Sequence, residues 1–319
     1  MTDLLDTMAA PVDRLAPAHY EPERVPDVVR RFRGRPDTLV VGRPGKVGLL
    51  ELGFEYRGGR TELVRRYQKS PLQIMRPLYV DPLRPDLPVV YVMSTGGGIV
   101  QADRLRLDVR CGVHTAVHLT TQAATKVHSM DTDYATQLVT VDAGADSYVE
   151  YLPDPVIPFC RSRLYQRTVV TADPSATVLV GETIYAGRLA RNEQHRYDVL
   201  ATDFELHRPG GELVVIDTVR LAPGLGAVAG PAVFAGSTIM SSLFVVTRLR
   251  SAPDVADHLV AALRASTGWA GVSVLPHDCG AWVRMLDDDP DAARAAMRTA
   301  WNAARELLIG VPAPALRKC

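Results

Sequence analysis

The chain has no net charge: 36 Lys and Arg balance 36 Asp and Glu. Without an excess positive field, neither nucleic acid nor an anionic membrane is indicated as the main partner. Cysteine is scarce as well. Cys111, Cys160, Cys279 and Cys319 stand far apart with no CxxC pair, so neither a disulfide framework nor a structural zinc site is indicated. The opening MTDLLDTMAAP lacks a basic stretch followed by an apolar one, and no later run reaches transmembrane length. Together these absences point to a soluble chain in a reducing cytoplasm. In contrast, 47% of the 319 residues are hydrophobic, enough for a large core in one big domain or two ordinary ones.

Catalytic and cofactor signatures are missing too. Gly42-Arg43-Pro44-Gly45-Lys46 resembles a phosphate loop, but Val40 stands where glycine is needed and Val47 where Ser or Thr is needed. Gly96-Gly97-Gly98 is followed by Gln101 rather than the third spaced glycine of a dinucleotide fingerprint. There is no GxSxG and no HExxH. His114 and His118 lie in a strand-like run, which holds them ~13 Å apart, too far for one ion. His277-Asp278-Cys279 offers ligand types in a row, though neighbours this close rarely converge on one metal. An ordinary turn is the plainer reading there.

From about residue 46 the pattern is β. Leu50, Leu52, Phe54 and Tyr56 alternate with less apolar neighbours, and Gly58-Gly59 turns the chain into Arg60–Tyr67. Alternation is sharper at Leu105, Leu107, Val109 and Cys111. Further runs span Val113–Thr121, Gln137–Val141, Leu164–Val170, Thr177–Ile184, Tyr197–His207 and Leu213–Leu221. No crossover helices separate them, so antiparallel or coiled β layers are expected rather than an α/β sheet. No fixed-period repeat emerges that would establish a regular solenoid. The period changes near the C-terminus, with helices near 252–265 and 290–309. Ser251 caps the first; Asp289, Pro290 and Gly310 delimit the second. Residues 1–45, rich in proline and charge, read as a variable, poorly ordered arm, and 46–319 as one β-rich domain.

Two acids break the apolar alternation. Glu182 follows Val178 and Val180 on one face, and Asp217 follows Leu213 and Val215 on another. A carboxylate in a dry core costs several kcal/mol unless paired or hydrated. Arg188 or Arg220 offers a pairing. The alternative is a wet interior lined by oxygen ligands. Three consecutive glycines leave a similar choice, between a tight strand connection and a loop beside a ligand, channel or partner.

RPLYVDP (76–82), TGGGIVQAD (95–103), LTTQAATKVHS (119–129), EYLPDPVIPF (150–159), AGRLARNE (186–193) and WNAARELLIGVPAPALRK (301–318) occur in this order. Jointly they resemble the urease accessory proteins of the UreD/UreH family, over about residue 46 to the end. The departures are Gln101-Ala102 where the family has Gly-Gly, His128 in place of an aromatic, and Asn192 in place of Gly. The resemblance implies a mainly β, solenoid-like body with two helices, and a non-catalytic chaperone of urease maturation. Its implied partners are urease apoprotein, the accessory protein UreF and, through it, the GTPase UreG. No cofactor is implied beyond nickel in transit through an internal tunnel. Aligned on the motifs, Asp103, Glu182 and Asp217 fall along that route, shaped by Thr95, Gly96, Gly97 and Gly98. His128, His277 and Cys279 are further metal-ligand candidates. The competing expectation is a scaffold that remodels urease without carrying nickel. A hydrolase built on the acid pair lacks any nucleophile or metal motif.

Overall fold

A computed structural model describes residues 14, 16–34, 47–266 and 268–316. Alternating apolar residues form long strands from the start: β1 (Val47–Arg57), β2 (Arg60–Lys69), β3 (Leu72–Gln73), β4 (Val89–Ser94), β5 (Arg104–Cys111) and β6 (Ala116–Thr121). There follow β7 (Thr125–Val127), β8 (Ala135–Ala143), β9 (Tyr148–Tyr151), β10 (Val156–Pro158), β11 (Arg163–Ala172) and β12 (Thr177–Tyr185). The last are β13 (Val199–His207), β14 (Leu213–Leu221), β15 (Ile239–Val246), β16 (Trp269–Val274) and β17 (Gly280–Asp287). Helices are α1 (Asp27–Arg30), α2 (Ala252–Leu263) and α3 (Pro290–Ile309).

The strands build two sheets. The first runs β14-β13-β11-β8-β5-β1-β2, the second β16-β17-β15-β12-β9-β6-β4-β3. Between β4 and β13 the chain alternates from one sheet to the other, so each new strand returns parallel to the one a coil earlier. This is a solenoid-like winding with an antiparallel hairpin at either edge of the first sheet. Parallel sheets normally need helical crossovers; here the opposite sheet supplies the crossover. Arg104 pairs with Thr136, Tyr165 with Thr136, and Tyr165 with Ala201, so the repeat length drifts from coil to coil. That drift is why no period shows in the sequence.

The main core lies between the sheets, built from the inward set Leu105, Leu107, Val109, Val139, Val141, Val178, Val180, Leu200 and their neighbours. A second core joins the outer face of the second sheet to α2 and α3, through Leu179, Leu243, Val245, Leu259, Ala300 and Trp301. The expected helix ends hold. Ser251 accepts the Asp254 N–H, Asp289 accepts those of Asp291 and Ala292, and Gly310 ends α3 in the left-handed conformation. Of the arm expected over 1–45, residues 14 and 16–34 are described and the remainder lies outside the described residues. Val29 of α1 packs on Tyr134, Tyr165 and Val199 at the outer face of the first sheet, and the Tyr20 hydroxyl donates to the Arg14 carbonyl at 2.7 Å.

Candidate functional site

Glu182 sits in β12 at a position whose neighbours Val178, Val180 and Ile184 all point between the sheets. From the facing sheet, the Thr202 hydroxyl donates to Glu182 Oε2 at 3.1 Å. Burial pushes the Glu182 carboxyl up, to about 7. The Thr202 hydrogen bond and the Arg284 charge oppose that rise, while Asp217 and Asp203 add to it. The group is therefore near half-ionised at neutral pH. Tyr151, next to it on β9, is pushed up by burial and then by the Glu182 charge.

Asp217 lies in β14 opposite Phe204. Its partner is Arg284, whose Nη2 donates to Oδ2 at 2.8 Å. Arg284 reaches it from the other sheet, where Glu182, Ser242 and Arg284 stand in one register row. The arginines expected to neutralise these acids do otherwise. Arg188 pairs with Glu193 beyond the end of β12. Arg220, one residue out of phase with Asp217 on β14, contacts Asp203 on the outer face at 2.6 Å. Phe204 stacks on Phe244 at 4.0 Å, and Phe244 on Trp282 at 6.1 Å, walling the acids on one side.

The glycine loop and the block 119–129 meet at another place. They line a cavity of about 210 Å³ together with Leu72, Leu105 and Gln137. Only Gly98 is obliged to be glycine by its surroundings: its φ is +147° and a Cβ would sit 2.4 Å from the Lys126 carbonyl. That close approach lets Ile99 N–H donate to Lys126 O at 2.7 Å, stitching the loop beside β7. Thr95 N–H donates to Pro71 O, and its hydroxyl lies 3.1 Å from that of Ser70.

Sequence reading missed what lies between this cavity and Glu182. Gln137 (β8), Gln166 (β11) and Thr202 (β13) are register partners on successive strands. All three occupy the phase of the inward core residues, and Gln166 and Thr202 are buried. A polar row thus crosses an otherwise apolar interior from the cavity to the carboxylate. The signal was present, since Gln137 interrupts Ala135, Val139 and Val141 as Glu182 interrupts its own run.

The remaining candidates are dispersed. Asp103 is buried at the turn before β5, where it accepts the Val100 N–H at 2.9 Å. It lies four strand spacings across the first sheet from Asp217 and four residues off its register row, roughly 23 Å away. His128 Nε2 is 3.2 Å from the Gly97 carbonyl, with its ring edge-on to Phe159. His277 is exposed at the β16–β17 turn, whereas Cys279 is buried and burial pushes its thiol up. His114 stands in a turn with φ +60°, not in the strand expected for it. Within the described residues, a different trio has ligand atoms within 4.8 Å of one another: His19, Glu51 and Asp108, on the outer face of the first sheet. Arg14 and Arg65 already hold Glu51, and Arg106 holds Asp108, so both acids of this cluster are paired, while His19 Nε2 is buried without a partner.

His118 has another setting. Beneath α3, Glu150 is fully buried and accepts from Tyr148 OH (2.7 Å), Trp301 Nε1 (3.0 Å) and Arg305 Nη1 (3.4 Å), with His118 Nδ1 at 2.7 Å. Arg305 also donates to Asp81 at 2.6 Å. Burial alone would raise the Glu150 carboxyl; the His118 hydrogen bond and charge, then Arg305 and Trp301, outweigh it and hold it below the usual range.

The model of the UreD urease accessory protein family matches residues 46–318. The chain belongs to the UreD family. It is 59% identical over 285 residues to urease accessory protein UreD 2 of Streptomyces griseus, covering 89% of this chain and 97% of that one. Urease accessory protein UreD 2 of Methylorubrum extorquens is 36% identical over 294 residues, covering 90% and 94%. UreD of Photorhabdus laumondii is 34% identical over 292 residues, covering 89% of each chain. Membership of this UreD family assigns the chain a role in urease maturation. It also gives the departures from the motifs a structural meaning. Ala102 and Asn192, where the motif resemblance implies glycine, stand at φ +62° and +53°, the left-handed region where glycine costs least.

Proposed function

We propose that this chain is a non-catalytic chaperone that binds urease apoprotein together with UreF-type and, through it, UreG-type accessory proteins in the cytoplasm, and passes nickel between its two sheets. Nickel is the cargo, held in transit rather than as a resident cofactor. The observation that carries this reading is the polar row Gln137–Gln166–Thr202 ending on Glu182. An apolar core of this size gains nothing in stability from such residues, whereas a hydrated cation needs oxygen at each step. Weak, separated oxygen sites also release an ion as readily as they take it up. Glu182 and Asp217 are the acids of the route, the cavity lined by Gly96, Gly97 and Gly98 is one mouth, and Thr95 and Asp103 support that wall. No helix of the described residues is long and apolar enough to cross a membrane.

Replacing Glu182 and Asp217 with alanine is expected to leave assembly with urease and UreF intact. Urease activity reached at limiting nickel should fall several-fold. Loss of assembly would instead make the acids structural. A second reading, a scaffold that remodels urease without carrying metal, draws on one observation: Asp217 already holds a cation, the Arg284 guanidinium.

A further inference from the structure

That same guanidinium marks a place in the interior suited to positive charge. Arg284 touches Asp217 Oδ2 across the inter-sheet space at 2.8 Å and, on the neighbouring strand of its own sheet, Met240 Sδ at 3.6 Å. A carboxylate oxygen and a thioether are both metal-ligand types. Glu182 belongs to the same register row, two strands from Arg284 on the same inward phase, and both the arginine and Asp217 act on its charge. The ion pair is only part-buried, and the arginine in it is incompletely satisfied. It makes one charged contact, its Nε is buried without a partner, and its ring neighbour Trp282 lies 4.9 Å from the guanidinium carbon. Arg284 and Asp217 keep 26% and 25% of their side-chain surface, so the pair can open toward solvent.

We propose that Arg284 is a gate: its guanidinium occupies a divalent-cation site formed by Asp217, Glu182 and Met240, and an ion enters only as the arginine swings out. The gate deepens the nickel-passage reading and rests on it for its purpose. One positive charge cannot share these ligands with a divalent ion, because the two repel at close range while competing for the same oxygen. The arginine therefore keeps the resting protein from trapping metal, and a partner that draws Arg284 outward would open the site. Electroneutrality fits: two carboxylates match one divalent ion once the guanidinium has left.

Equilibrium dialysis of the full-length protein against nickel(II) tests the gate. Arg284→Gln is expected to add one bound ion, or to tighten binding by about tenfold or more. Arg284→Lys should behave as the parent. The gain should vanish when Glu182→Gln and Asp217→Asn are added to Arg284→Gln. An isotherm for Arg284→Gln that matches the parent would overturn the gate, as would a gain that survives loss of both acids. Near-UV circular dichroism verifies folding, and Arg284→Met supplies a second variant with the same expectation. Urease activation by the same proteins separates the two readings. A binding gain with activation at limiting nickel independent of Glu182 and Asp217 upholds the gate and removes the passage; an unchanged isotherm with acid-dependent activation does the reverse.

Discussion

Glu182 is the residue at which burial, charge and access meet. Its carboxyl titrates at about 7, against an ordinary 4.5, with burial as the main cause. Between those values the folded chain holds a proton that the unfolded chain has lost, so stability falls as pH rises through the window. Glu182→Gln should remove that slope. Urea midpoints from pH 4.5 to 8 check it: the variant is expected to gain on the parent steadily toward neutral pH. Metal uptake has the opposite trend, since only the ionised carboxylate binds a cation, and should rise across the same window. A second residue-scale prediction concerns Ala102. At φ +62° an alanine is strained by about 1 kcal/mol, and a glycine loses part of that gain to chain entropy. Ala102→Gly should therefore stabilise by up to about 1 kcal/mol, read as a rise of a degree or two in Tm. Gln101, the other departure, is not a strain. Its Oε1 accepts the N–H groups of Asp131 and Thr132 at 2.9 and 2.8 Å, clamping the neighbouring turn.

Among the elements, α3 shows most clearly what sequence reveals and what it hides. Its start at Asp289-Pro290, its end at Gly310 and its apolar stripe follow from local chemistry, and the structure has all three. Its anchor does not. Arg305 lies on the buried face at 0% exposure, tied to Glu150 and to Asp81, 155 and 224 residues away. No local pattern announces a pair so distant, and an arginine within a helix reads as solvated. The strands tell the same story. Alternation located their inward faces, but not which strand lies beside which, because coils of drifting length leave no period to align. Removing one member of a buried ion network costs about 3–5 kcal/mol, because the partners stay buried without their charge. Arg305→Met should fall in that range by urea denaturation. In hydrogen exchange, α3 amides should lose protection before those of β8 or β11, since the network joins the apolar contacts of the helix in fastening it to the second sheet.

For the whole molecule, two parallel-wound sheets close an apolar space and then admit a line of polar side chains through it. The acids of that line were legible as breaks in alternation, and Gln137 was legible in the same way. Arg284 was not: it comes from the far end of the chain, and nearer arginines looked equally suitable. The fold thus sets Asp217 of the first sheet against the Arg284 guanidinium of the second, two strands from Glu182 in one register row. Family membership assigns the chain to urease maturation; the proposed nickel passage would follow the polar row through this interior. The most direct measurement is transfer of radiolabelled nickel to urease apoprotein in a reconstituted accessory complex at limiting metal. With Glu182→Ala/Asp217→Ala in a fully assembled complex, nickel per urease active site should fall several-fold below the parent. Parent-level incorporation by that assembled double variant would contradict a nickel route through this interior.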